Sequence, residues 1–360
     1  MPNSLDNVVL LACNDAGNVV WMNTNEKPTQ IGDALWHRVP RSKTSSFKQI
    51  FQRLIENGNP QTGEGLTASG DLVRGWGWRL NSKIYRVLCL FLEIPKTITL
   101  LSRQERSILQ MISTGKSVKD VSEEIGLAIS TVHTYLRRIR AKASLDSHES
   151  AIAFAGRYLS PIGSHRFNYN DLFEPNSESS SDFSRNIASF RGTRLAICDW
   201  QGKLVWESDP ASRQIGTCIW DLVDPVQAFR FQQEIALALT TRHSTCGEYI
   251  DCKGAHFRYF AWPMNCPDHA LLVLTVRIPN GIASLTARER AALSLLGKGK
   301  KSKEIAGLLD LSISSVHAIL KTSRQKLELA NQESLISFAA RYCDPLQFPL
   351  QCVESDYRSG

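Results

Sequence analysis

Residues 101–161 lie over residues 285–345 at a constant offset of 184, without a gap and with 24 of 61 positions identical. No other feature constrains the fold of this 360-residue chain as much. The offset continues upstream, where Trp36 meets Trp220, Arg74 meets Arg258, Trp78 meets Trp262 and Ile94-Pro95 meets Ile278-Pro279, with a one-residue slip near Gly17/Gly202 and Trp21/Trp206. A period of half the length means two copies of one module, and the usual domain size of about 100–200 residues divides each copy again, into four small domains in all.

The second part of each copy reads as helices. LSRQERSILQMISTG and LTARERAALSLLGKG start with Ser102 or Thr286, followed three residues later by Glu105 or Glu289. That spacing predicts a capping box, with Gly115 or Gly299 closing the helix. A second helix follows, with Val118, Val121 and Ile125, or Ile305, Leu308 and Leu309, expected to point inward. After a three-residue turn comes AISTVHTYLRRIRAKASL (Ala128 to Leu145) or SISSVHAILKTSRQKLEL (Ser312 to Leu329), and a fourth helix ends before Pro161 or Pro345. Two helices joined by a short turn and flanked by two more form a four-helix unit of about sixty residues.

On a wheel of about 100° per residue, Val132, Leu136 and Ile139 share the core side of the third helix, as do Val316 and Leu320. The opposite side carries Ser130, Thr134, Arg137, Arg138 and Ala141 in one copy and Ser314, Ala318, Lys321 and Thr322 in the other. Short hydroxyl side chains permit close approach to a major groove, while Arg and Lys reach guanine or phosphate. The chain carries a net charge of +7, with +3 in residues 101–160 and +4 in 285–344, which admits a nucleic-acid partner without demanding one.

These residues resemble the DNA-binding domain of the LuxR/NarL/FixJ (GerE-type) bacterial regulators, whose pattern runs L[ST]xRE, then G with KEIA, then ISxxTVKxHxxxIxxKL. Residues 285–317, LTARERAALSLLGKGKKSKEIAGLLDLSISSVH, follow it closely and the first copy a little less so. The resemblance spans about a third of the chain and implies base contacts from His133, Thr134 and Arg137 and from His317, Ala318 and Lys321. Ser130, Thr131, Arg138, Lys116 and Lys119, with Ser314, Ser315, Lys300 and Lys303, complete the DNA-binding candidates. Two positions depart from the pattern: the usual Lys after TV is His in both copies, and the usual His two further on is Tyr135 or Ile319. Neutral imidazole releases fewer counterions than Lys, so affinity per domain is expected to be modest.

Residues 5–96 and 193–280 hold all eight Trp and read as strand, hairpin, short helices and then three strands. That layout resembles the PAS fold, an antiparallel sheet over a small pocket. The paired tryptophans are expected mainly as core, given the area they bury. No His, Cys or Gly-rich loop marks a cofactor, and none is assigned. The acidic cluster of a phosphoacceptor receiver domain is missing as well.

The fold class expected is α+β: a tandem duplication of a PAS-like antiparallel-sheet domain followed by a four-helix LuxR-type helix-turn-helix domain. Boundaries fall at 1–97, 98–161, a Ser/Asn-rich linker over 162–190, 191–281, 282–345 and a tail over 346–360. None of the nine cysteines is read as sharing a slot between copies, and no CxxC spacing appears, which points to a reducing cytoplasm without disulfides or zinc. No apolar run approaches the ~18–20 residues of a membrane span, and no leader is evident. Phosphate-loop, HExxH and GxSxG motifs are missing, which argues against an enzyme. The function expected is sequence-specific binding of double-stranded DNA by a covalent pseudo-dimer that regulates transcription. The alternative is a protein-interaction module for RNA polymerase or another regulator, and homodimerisation through the PAS-like domains stays open.

Overall fold

The computed structural model describes residues 8–23, 31–159, 193–208, 214–266 and 268–343, without the side chains of 62–64. The linker and tail expected over 162–190 and 346–360 lie outside the described residues. The chain divides into two compact units, the first ending at Ile94 and Ile278, the second starting at Pro95 and Pro279. The first holds both sheets, the second both helical groups.

In the first copy, β1 (Val8–Cys13), β2 (Val19–Met22), β3 (Gln61–Leu66), β4 (Leu72–Arg79) and β5 (Val87–Ile94) form an antiparallel sheet in the order β2-β1-β5-β4-β3, with α1 (Thr44–Asn57) between β2 and β3 in sequence. The second copy repeats this with β6 (Thr193–Cys198), β7 (Leu204–Glu207), α6 (Pro225–Thr241), β8 (Thr245–Ile250), β9 (His256–Cys266) and β10 (His269–Arg277), in the order β7-β6-β10-β9-β8. Central strands β1 and β5 are apolar nearly throughout because both their faces are buried. Val9, Leu11, Cys13, Val87 and Cys89 share one face with Phe51 and Leu54 of α1 in a single core.

The strand register corrects the cysteine reading. Cys13 pairs with Val87 and Cys198 with Leu271, and these partners stand 184 residues apart, so the two cysteines do share a slot once the one-residue slip is counted. Both thiols are buried and free, and burial pushes both upward in pKa.

The slip falls after the β1–β2 and β6–β7 turns, between Trp21/Trp206, 185 residues apart, and Ile31/Ile215, 184 apart. Gly17 and Gly202 adopt φ of +75° and +76°, and a Cβ there would lie 2.2 Å from Trp36 or 2.1 Å from Trp220. Only glycine meets both the left-handed backbone and the indole against it.

Within this unit the two copies hold each other reciprocally. Trp21 donates its indole N–H to the carbonyl of Pro263 at 3.0 Å, and Trp206 donates to the carbonyl of Arg79 at 3.2 Å. Arg79 and Pro263 occupy the same slot.

The second unit contains α2 (Arg103–Ser113), α3 (Val118–Ile125), α4 (Ile129–Ala143) and α5 (His148–Tyr158), then α7 (Ala287–Gly297), α8 (Ser302–Leu309), α9 (Ile313–Lys326) and α10 (Gln332–Tyr342). The chain is therefore a PAS-like sheet domain followed by a four-helix domain, twice over. Helix α5 packs on α10 through small buried residues, Ala153, Ala155 and Gly156 against Ser337, Ala339 and Ala340. A Cβ on Gly156 would stand 3.0 Å from the Ser337 carbonyl oxygen. Matched contacts flank this pair: Gly115 abuts Ser334 and Gly299 abuts Ser150, both pairs related by the 184-residue offset.

One inward-face expectation fails. Ile305 and Ala306 are buried in α8, but Leu308 is 61% exposed. The buried arc runs through 305, 306 and 309, and 308 lies about 60° beyond its edge. The first copy carries Glu124 at that slot, an outer residue whose message the sequence already contained.

Candidate nucleic-acid interface

Both capping boxes form. Ser102 N–H donates to Glu105 Oε2 at 2.6 Å and Glu105 N–H to Ser102 Oγ at 3.2 Å, and Thr286 and Glu289 repeat this at 2.7 and 3.2 Å. Each glutamate also accepts from a lysine near the end of the third helix, Lys142 at 2.7 Å and Lys326 at 2.8 Å. Burial pushes the Glu105 and Glu289 carboxyls up, yet the lysine and the cap hydrogen bonds outweigh it and hold both below the usual range. The same ion pair thus locks α2 to α4 and α7 to α9, and it removes Lys142 and Lys326 from the outward-facing charge.

The turns that set α4 and α9 are three residues long, Gly126 to Ala128 and Asp310 to Ser312. Left-handed Gly126 and Asp310 close the preceding helices. The axes of α8 and α9 turn by 105°, within the range of a helix-turn-helix. Val132, Leu136 and Ile139 are buried as the wheel predicts, and so are Val316 and Leu320.

Every candidate contact residue keeps solvent access. Ser130, His133, Arg137, Arg138, Lys119, Ser314, His317, Ala318, Lys321 and Lys303 are exposed, while Thr131, Thr134, Ser315, Lys116 and Lys300 are half-buried. Several are already engaged. Thr134 donates its hydroxyl back to the Ser130 carbonyl at 3.0 Å, leaving it only lone pairs to offer. Arg138 sits over the Tyr135 ring at 5.9 Å. Ser312 caps α9 by accepting from Ser315 N–H at 3.0 Å, with its hydroxyl also 2.8 Å from Ser314.

The lysines before and in the second helix are paired as well: Lys116 with Glu124, Lys119 with Glu123 at 3.9 Å, Lys300 with Glu304 at 3.1 Å. Exposed pairs of this kind are worth about 0–1 kcal/mol, so a phosphate can displace the carboxylate cheaply. Arg137, Lys321 and Lys303 have no ion pair among the described residues, which makes them the readiest cations.

Sequence reading passed over the groups that bind one helical domain to the other. Arg157 Nη2 donates to the Gly297 carbonyl at 2.7 Å, Ser337 Oγ to the Ser113 carbonyl at 2.5 Å, and Asn331 Nδ2 to the Gly115 carbonyl at 3.1 Å. The one available signal was the small-residue stripe shared by AIAFAG and ISFAAR.

Residues 99–155 and 283–339 match the family model described as bacterial regulatory proteins, luxR family. No curated protein matches the chain. Among solved structures, VqmA bound to DPO is 21% identical, with 44% of this chain and 85% of that one covered and a TM-score of 0.22. A Vibrio cholerae VqmA complex with ligand and DNA is 19% identical, covering 49% and 93% at a TM-score of 0.26. An RNA-binding light-oxygen-voltage receptor is 11% identical, covering 76% and 92% at 0.19. Among the described residues no single helix is long and apolar enough to cross a membrane.

Proposed function

This chain carries two luxR-family DNA-binding domains, and from that premise we propose that it regulates transcription as a covalent pseudo-dimer, α4 and α9 each reading one half-site in the major groove. The observation that carries the reading is the repeated outward face of Ser130, His133 and Arg137, and of Ser314, His317 and Lys321, on two domains joined through α5 and α10. Helix-turn-helix proteins usually obtain this arrangement from two chains, with half-sites about 34 Å apart. Here one chain supplies both, and a second chain is not needed. The expected linker over 162–190 adds an effective concentration of roughly millimolar for the second docking event. Because Thr134 faces Ala318, Arg137 faces Lys321 and Arg138 faces Thr322 across the duplication, the half-sites differ and the operator is asymmetric.

The test selects duplexes from a random pool with the full chain, then measures Arg137→Ala and Lys321→Ala singly and together. Each single change is expected to cost about 1–3 kcal/mol if it reads a base. Unchanged affinity and footprint in either single variant would leave that copy without a role.

A second reading has one observation in its favour. Leu308 and Ile313, on either side of the second turn, are 61% and 45% exposed and form apolar surface that RNA polymerase or another regulator would cover. Salt separates the two: binding to duplex falls steeply between about 50 and 200 mM, whereas a contact made through buried apolar surface does not.

A further inference from the structure

The two sheet domains carry side chains of very different size under their helices. In the first copy, Leu35, Phe47, Phe51, Leu54 and Phe91 line a half-open apolar cavity of about 90 Å³, with Gly65, Gly75 and Gly77 on its sheet side. At those three slots the second copy carries Tyr249, Tyr259 and Ala261. Both tyrosine rings pack on Phe231, the slot-mate of Phe47, with centroids 5.2 and 5.0 Å away.

Cross-strand pairs show which difference leaves room. Gly75 faces Phe91 where Tyr259 faces Thr275, a large-for-small exchange: the Phe91 ring lies 3.0 Å from where a Gly75 Cβ would stand. Gly65 faces Val73, but Tyr249 faces Phe257, and those two rings stack at 5.5 Å. There both partners are smaller in the first copy, and nothing compensates. Polarity differs too. Tyr259 donates its hydroxyl to Glu234, and the first copy has Ile50 at that slot, on the cavity wall.

We propose that the first sheet domain binds one small, neutral, flat apolar molecule, an aromatic ring or its equivalent, and that the second binds none because Tyr249 and Tyr259 fill its cavity permanently. The second copy supplies the template: at these slots the fold accepts aromatic rings packed tilted or edge-on against a phenylalanine, at 55° and 78° to Phe231. An apolar cavity of roughly 150 Å³ takes up benzene, so a one-ring molecule extending into the mouth is the right scale here. With Ile50 in place of Glu234, the cavity lining carries no charged side chain among the described residues.

The inference rests on the sheet domains alone, and duplex binding is measured separately. The probes are toluene and indole, followed by saturation-transfer NMR on the full chain. Transfer is expected in the native protein and is expected to fall at least tenfold in Ile50→Glu, and likewise in Gly65→Tyr/Gly75→Tyr/Phe91→Thr, which rebuilds the second copy's lining. Tyr249→Phe is the control and leaves transfer unchanged. Transfer that survives Ile50→Glu, or that drops in the control, would overturn the proposal whether or not the triple variant folds.

Discussion

Tyr85 and His269 occupy the same slot in the two copies and meet edge to face, ring centroids 6.1 Å apart. A residue that touches its own counterpart marks the axis of an isologous arrangement, ordinarily the property of a symmetric dimer. The reciprocal indole hydrogen bonds of Trp21 and Trp206 obey the same symmetry. What two chains normally do by association, the sheet pair does within one.

The His269 side of that contact makes stability depend on pH. Burial holds its imidazole below the ordinary value, with Asp268 pulling weakly the other way, and burial does the same to His148 at the start of α5, opposed by Glu149 and Glu333. A histidine whose folded value is lowered stays neutral while the unfolded chain takes up a proton, so stability is lost as pH falls through about 6.5. Calorimetry from pH 7 to 5.5 is expected to show a falling midpoint, and His269→Phe with His148→Asn to flatten it.

Gly17 and Gly202 are expected to tolerate no side chain. Alanine at either would combine a left-handed backbone with a Cβ inside the Trp36 or Trp220 ring, a loss of about 2–4 kcal/mol in urea unfolding. Gly216, at φ +89° with nothing within 4 Å, is the comparison: alanine there should cost only the backbone share, about 1 kcal/mol.

Gly156→Leu drives a side chain toward the Ser337 backbone and should separate α5 from α10 without entering either helix-turn-helix core. DNA affinity at fixed salt is then expected to drop tenfold or more, toward that of one domain. Equal affinity in native and variant chains would show that the α5–α10 contact plays no part in binding.

Ser323 sits fully buried at the slot of Ile139, and its hydroxyl has no hydrogen-bond partner among the described residues. Ser323→Ala removes that unsatisfied group and is expected to stabilise by about 1 kcal/mol, read as a rise in thermal midpoint of about 2–4 °C.

The helical half was the more legible part of the chain. Its capping boxes, its three-residue turns and the core side of α4 all depend on residues three or four apart, and local spacing reports such contacts directly. Leu308 was misjudged because apolarity alone placed it inward, when Glu124 at the same slot marked the position as outer. The cysteine slot was misjudged because a rigid offset ignored the slip that follows Trp21 and Trp206. Arg157, Ser337 and Asn331 carried no motif, since what they bind is backbone carbonyl on the other copy.

From the sequence alone came the duplication, the order of sheet and helical domains, and the outward basic faces, each written in a period or an offset along the chain. Tertiary structure decided which surfaces of the copies meet and how the lining of the first sheet domain's cavity comes together. Those outcomes turn on groups 127 to 242 residues apart, as in Trp206 with Arg79 and Trp21 with Pro263, and on side-chain volumes summed across a sheet. Shape complementarity at that range has no linear pattern to read, because it exists only once both partners are folded.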